Sequence, residues 1–171
     1  MLLDVDGVLN ALLPHGLPGT EEQSFQDFRQ TEADFFRILY SPEMGRRLMA
    51  LEADVVWLTT WERRANEEIG TIFGWPELPY LERRPEYDIG DWLTGWWKSM
   101  AAQDWVEAHP GVPFAWIDDD LADAHRNGEL TWMSKLPADT RYYTLSPVAS
   151  YGISPPAMDA LEDWVAERNE S

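Results

Sequence analysis

The chain has 171 residues, 44% of them apolar and 26% charged, which fits one ordinary globular domain and excludes disordered and fibrous classes. Asp and Glu outnumber Lys and Arg by 31 to 13; the resulting net charge of −18 repels polyphosphate and disfavours broad, nonspecific nucleic-acid binding. With no cysteine, the chain cannot form a disulfide scaffold, a thiolate metal site or a cysteine nucleophile. Residues 1–5 read as a short buried strand running into Asp6-Gly7, and residues 10–20, with Pro14, Gly16, Pro18 and Gly19, read as a loop. Over residues 24–40 the partial alternation of Phe25, Phe28, Phe35, Phe36, Ile38 and Tyr40 favours a β-hairpin over a helix. Ser41-Pro42-Glu43 is a helix start, with Met44, Leu48 and Leu51 directed inward. Residues 54–59 read as a strand, since Val55-Val56-Trp57-Leu58 is continuously apolar as buried parallel strands are, and residues 61–73 follow as a helix with Ala65, Ile69 and Ile72 on one face.

Residues 76–87 are loop, with a short strand at Tyr80-Leu81. A helix over 98–108 ends at Pro110-Gly111, and a third buried strand over 112–117 ends in Asp118-Asp119-Asp120. A strand over 141–145 and a helix beginning near Ser154-Pro155-Pro156 complete the chain. Alternating strands and helices predict an α/β fold with a mostly parallel sheet. Three strands end in polar clusters, Asp4-Val5-Asp6, Thr59-Thr60 and Asp118-Asp119-Asp120. Parallel strands place their C-terminal ends along one edge, so these clusters should meet in one crevice. Crowded carboxylates without His or Cys suit a hard cation such as Mg²⁺, with Thr59 and a nearby Lys available for phosphate oxygens. A carboxylate left uncommitted by metal could attack phosphorus.

Asp4-Val5-Asp6-Gly7-Val8-Leu9-Asn10 resembles the DxDG signature of the haloacid-dehalogenase-like (HAD) superfamily. Val55-Val56-Trp57-Leu58-Thr59 resembles its second motif, Lys98 stands where its third-motif Lys belongs, and Phe114-Ala115-Trp116-Ile117-Asp118-Asp119 resembles its fourth. Together with Trp57-Leu58-Thr59-Thr60-Trp61-Glu62, the first motif is similar to a bacterial branch named for HAD domains in RNA-repair proteins. The resemblance implies a Rossmann-like three-layer α/β/α sandwich as a single domain over residues 1–171, with a minimal cap, a short flap hairpin, inserted at about 11–41. It departs from the pattern in that only Met1-Leu2-Leu3 precede the first motif.

By the same resemblance Asp4 is the nucleophile, and Asp6 is the general acid and then the base that activates water. Thr59 binds the phosphoryl oxygens, with Thr60 the competing choice, and Lys98 neutralises the phosphoryl group and orients Asp4. Asp4, the backbone carbonyl of Asp6, Asp118 and Asp119 form the Mg²⁺ site, while Asp120 caps the next helix. Trp61, Arg63 and, in the first loop, His15 are weaker substrate contacts; Trp92, Trp96 and Trp97 flank the same motifs. The expected activity is Mg²⁺-dependent phosphomonoester hydrolysis through an aspartyl-phosphate, on a nucleotide or a nucleic-acid end. A catalytically idle partner-binding module and phosphotransfer to an acceptor other than water are the alternatives. No apolar run reaches a membrane span and no secretory signal opens the chain, so a cytoplasmic protein is expected.

Overall fold

The computed structural model describes residues 1–13, 24–33, 35–88 and 96–169. In chain order the elements are β1 (Leu2–Leu3), the hairpin strands β2 (Arg29–Ala33) and β3 (Phe36–Tyr40), α1 (Pro42–Ala50) and β4 (Val56–Trp57). A π-helical stretch (Ala65–Gly70) continues into α2 (Thr71–Phe73), followed by α3 (Trp97–Ala108), β5 (Phe114–Ile117), α4 (Leu121–Arg126), β6 (Tyr142–Leu145) and α5 (Pro155–Asn169). The central sheet has the order β4-β1-β5-β6, and each neighbouring pair is parallel.

Side chains alternate across this sheet as the period of two requires. Leu3, Trp57, Ala115 and Ile117 face one core with Met44, Leu48, Ile69, Met158 and Leu161. Leu2, Val56, Phe114 and Trp116 face the other with Ala101, Ala102, Val106, Leu121 and Ala124. The helices therefore cover both faces, and the protein is a Rossmann-like three-layer α/β/α sandwich. No helix among the described residues is long and apolar enough to cross a membrane.

The hairpin expected over 24–40 forms, with Ala33 paired to Phe36 at its tip. Its far end is tied to α1 by a shared cap. Ser41 Oγ accepts from Met44 N at 3.0 Å, and Asp27 accepts from Ser41 Oγ at 2.5 Å and from Glu43 N at 2.8 Å. Such a cap contributes about 1 kcal/mol, and it fixes where the hairpin hands over to the helix.

The segment 61–73 differs from the single helix its periodicity predicts. Trp61 and Glu62 are held by contacts outside the segment, and Glu62 takes a left-handed φ of 49° while its carboxylate accepts from Arg83 N at 2.7 Å. Regular helix starts only at Ala65, and its first part is π-helical. Within it Asn66 accepts from Trp57 Nε1 and Leu78 N, both at 2.9 Å, and donates to Leu78 O at 2.7 Å. The side chain thereby stands in for a strand edge, fastening the loop to β4. Beyond β4 the expected strand at Tyr80-Leu81 is reduced to one parallel bridge, Trp57 to Tyr80. Pro79 has no N–H to offer a ladder, which limits that edge to a single pairing.

Candidate active site

Register alone brings the acid clusters together. Leu3 pairs with Trp57 on one side and Ile117 on the other, so Asp4, Leu58-Thr59 and Asp118 leave the sheet side by side. Asp4 N donates to Ile117 O at 3.0 Å, Leu58 N to Leu3 O at 2.9 Å, and Asp118 N to Leu145 O at 3.1 Å. Lys98, in the first turn of α3, reaches the same point from the neighbouring layer. Its ammonium lies 2.8 Å from Asp4 Oδ2 and 2.8 Å from Asp118 Oδ2, and the three side chains are almost completely buried. A cation at the positive end of a helix is unfavourable unless anions face it, and here two do.

The surroundings set the protonation. Burial raises the Asp4 carboxyl above the ordinary range, opposed by the Lys98 charge and by hydrogen bonds from Lys98 and Thr59. Burial, reinforced by the Asp4 charge, pushes Asp118 up to about 8. Asp119 is pushed up to about 6 by burial and by the charges of Asp120 and Asp4. Burial alone would depress the Lys98 ammonium; Asp4 and Asp118 more than offset it and hold Lys98 protonated.

Asp4, Asp118 and Asp119 each offer an oxygen, all within 4.8 Å of one another. Three carboxylates balanced by one ammonium carry excess negative charge in a dry site, and their hard oxygen donors fit Mg²⁺. Asp118 already gives one oxygen to Lys98 and the other to Asp120 N at 3.1 Å. Asp119 is less enclosed and lies against Gly7, where a Cβ would come within 2.3 Å of its carboxylate. Gly7 has φ of +70°, so backbone conformation and space both require glycine there.

The other expected residues separate clearly. Thr59 is buried beside Asp4, whereas Thr60 is exposed. The Asp6 carboxylate is not one of the three-acid group; it accepts from Asn10 Nδ2 and Trp61 Nε1, each at 2.8 Å. Trp61 is buried, with Phe36 edge-on at 5.7 Å and the Arg64 guanidinium 5.2 Å from its ring centre. Arg63 is exposed and paired with Glu67 at 2.9 Å rather than brought to the acid cluster. Asp120 occupies the N-cap position of α4 but makes no side-chain cap bond; Asp118 accepts its N–H instead. His15 and Trp92 lie outside the described residues. Trp96 stacks on Trp116 and has the Lys98 ammonium 5.5 Å from its ring centre, while Trp97 is buried in the core.

Asn10 has a place at this site that sequence reasoning does not assign. Its only signal is membership of the run that begins at Asp4. A cavity of about 950 Å³ opens at the opposite, N-terminal edge of the sheet beside Met1, Tyr80, Trp105 and His109. It contains none of the acid cluster.

Residues 1–140 match the family described as the HAD domain in Swiss Army Knife RNA repair proteins. The chain belongs to this family. The match covers every motif residue from Asp4 to Asp119, so the HAD resemblance read from the sequence holds for the fold and the branch. No curated protein and no solved structure matches the HAD domain described here.

Proposed function

We propose that this HAD domain is an Mg²⁺-dependent phosphomonoester hydrolase that works through an aspartyl-phosphate on Asp4. The observation that carries the reading is the Lys98 ammonium set between Asp4 and Asp118, 2.8 Å from each, at the sheet's C-terminal edge. A binding module gains nothing from burying that triad, because desolvating three charged groups costs several kcal/mol per ion before their attraction repays it.

Asp4 attacks phosphorus as the carboxylate, faced by the Lys98 ammonium at 2.8 Å. The bond from phosphorus to the ester oxygen breaks, and the Asp6 carboxyl gives that oxygen a proton. Water then loses a proton to the Asp6 carboxylate and attacks the acyl phosphate, releasing inorganic phosphate and restoring Asp4. Lys98 and the Thr59 hydroxyl hold the phosphoryl oxygens as charge spreads over them. Asp4, Asp118, Asp119 and the Asp6 carbonyl would hold Mg²⁺, which when bound neutralises phosphate charge. The cluster's donor set supports that cation.

The proposed substrate class is a nucleotide or a nucleic-acid end. The family description names RNA repair proteins. The hairpin beside the site carries an exposed aromatic pair, Phe35 and Phe36, at its tip. Phe35 is 99% exposed, and its left-handed φ of 69° is the one a tight turn between paired Ala33 and Phe36 calls for. Such a pair offers bases a stacking surface. The net charge of −18 restricts contact to an end rather than a long tract.

Phosphate release should be followed in Mg²⁺ and in EDTA with an aryl phosphate, sugar phosphates, nucleotides and oligonucleotides phosphorylated at either end. Mg²⁺-dependent release is expected, highest with the nucleotide or oligonucleotide set. Release from none of them overturns the hydrolase reading, and a preference for sugar phosphates overturns the substrate class.

A further inference from the structure

The Asp6 carboxylate has a donor on each oxygen. Asn10 Nδ2 bonds Oδ1 at 2.8 Å, and Trp61 Nε1 bonds Oδ2 at 2.8 Å. An indole N–H can only donate, and the Asn10 amide is oriented by its second bond, since its Oδ1 accepts from Leu39 N at 2.9 Å. Both donors are thus committed, and both are attached to one element, the β2–β3 hairpin. Asn10 is joined to β3 through Leu39, with Ala11 N donating to Leu39 O at 2.8 Å. Trp61 meets the hairpin at its tip, where Phe36 packs edge-on against the indole at 5.7 Å.

We propose that Asn10 and Trp61 are positioning residues that fix the orientation of the Asp6 carboxyl and make that orientation depend on where the hairpin sits. The inference rests on the proton-transfer role proposed above for Asp6. A carboxyl carried near the chain's first strand could rotate about its own side-chain bonds. Two donors, 55 residues apart in the case of Trp61, remove that freedom. Any substrate that displaces Phe36 acts on the indole and through it on Asp6. Trp61, which the sequence suggested as a substrate contact, instead works through another residue.

Positioning of a proton donor has a signature that general structural damage lacks. An alkyl phosphate such as glycerol phosphate needs a proton on its leaving oxygen, whereas 4-nitrophenolate leaves without one. General acid catalysis contributes about 10²–10⁴ in rate, so losing its alignment should remove a sizeable part of that factor. Trp61→Phe deletes the N–H and keeps an aromatic ring. Its kcat/KM on glycerol phosphate, which reports the phosphoryl-transfer step and not the shared hydrolysis of the acyl phosphate, should fall at least about tenfold further than its kcat/KM on 4-nitrophenyl phosphate. Phe36→Ala should show the same bias in weaker form. Equal losses of kcat/KM on both substrates would overturn the positioning role.

A second readout needs no turnover. Trp61→Phe identifies the Trp61 indole signal in a ¹H–¹⁵N spectrum by its disappearance, and Asp6→Ala should move that signal strongly upfield. A signal that stays in place overturns the clamp. Wild-type protein inert towards both phosphates, with the indole signal responding to Asp6→Ala, would overturn the hydrolase reading and leave the clamp standing.

Discussion

Replacing Lys98 by Met keeps the stem of the side chain and removes its charge, leaving Asp4 and Asp118 to face each other in a dry pocket. At an effective dielectric constant of about 20, unit charges 2.8 Å apart attract by about 6 kcal/mol, and Lys98 makes two such contacts. The cost of drying the ions offsets most of this, and buried pairs broken from one side typically lose about 3–5 kcal/mol. That range is the loss expected in metal-free urea denaturation at pH 9, above the value of about 8 to which Asp118 is pushed. At pH 5 the loss should shrink to about 1 kcal/mol, because Asp118, pushed up to about 8, and Asp4, also raised, take up protons and no bare charge remains. With Mg²⁺ present, kcat/KM should fall by about 10²–10³, the usual result of removing one preorganised stabilising group. Lys135→Ala, an exposed change in a surface turn, should do almost nothing to either quantity. Equal stability losses at pH 5 and pH 9, or matching activities for the two variants, would refute this electrostatic account.

Thr59→Val should lower kcat/KM by about 10- to 100-fold, as expected for losing a hydrogen bond to a charged group, while Thr60→Val should leave it near wild type; steady-state kinetics decide. Gly7→Ala should cost about 1–2 kcal/mol from its left-handed backbone and displace the Asp119 carboxylate, so that Mg²⁺ no longer raises the melting temperature as in wild type. In EDTA, stability should fall as pH rises from about 4 through about 8. The raised carboxyls of Asp4, Asp118 and Asp119 bind more protons in the folded than in the unfolded state, which makes the slope negative. Mg²⁺ binding only the folded cluster should flatten that slope and add roughly 2.7 kcal/mol at a hundredfold excess over Kd; thermal scans across pH with and without the metal test both points.

Much of this architecture is written locally. Ser41-Pro42 marks the start of α1, the Phe alternation marks the hairpin, and apolar runs ending in acids mark β1 and β5. The position of Lys98 at an unfavourable helix end also announces its anionic partners, and the structure supplies Asp4 and Asp118. What could not be read depends on pairs far apart in the chain. The helix expected over 61–73 begins late because Trp61 is bound to Asp6 and Glu62 to Arg83, and neither bond leaves a trace in helical periodicity. Asn66, an ordinary polar residue in that pattern, acts as an edge partner for Leu78 and Trp57. The choice of Thr59 over Thr60, by contrast, is implied by the resemblance, and the register of β4 against β1 agrees with it by burying Thr59 beside Asp4.

The central claim is that Asp4 is the nucleophile of a phosphomonoesterase. It is tested most directly by comparing wild type with Asp4→Asn for phosphate release from an aryl phosphate in Mg²⁺, with thermal melting measured on the same samples. An amide of the same shape cannot attack phosphorus, and it removes one of the crowded carboxylates around Lys98. The account predicts release at background level from a variant that melts cooperatively, near the wild-type temperature. Wild-type kcat in a folded Asp4→Asn protein would contradict it.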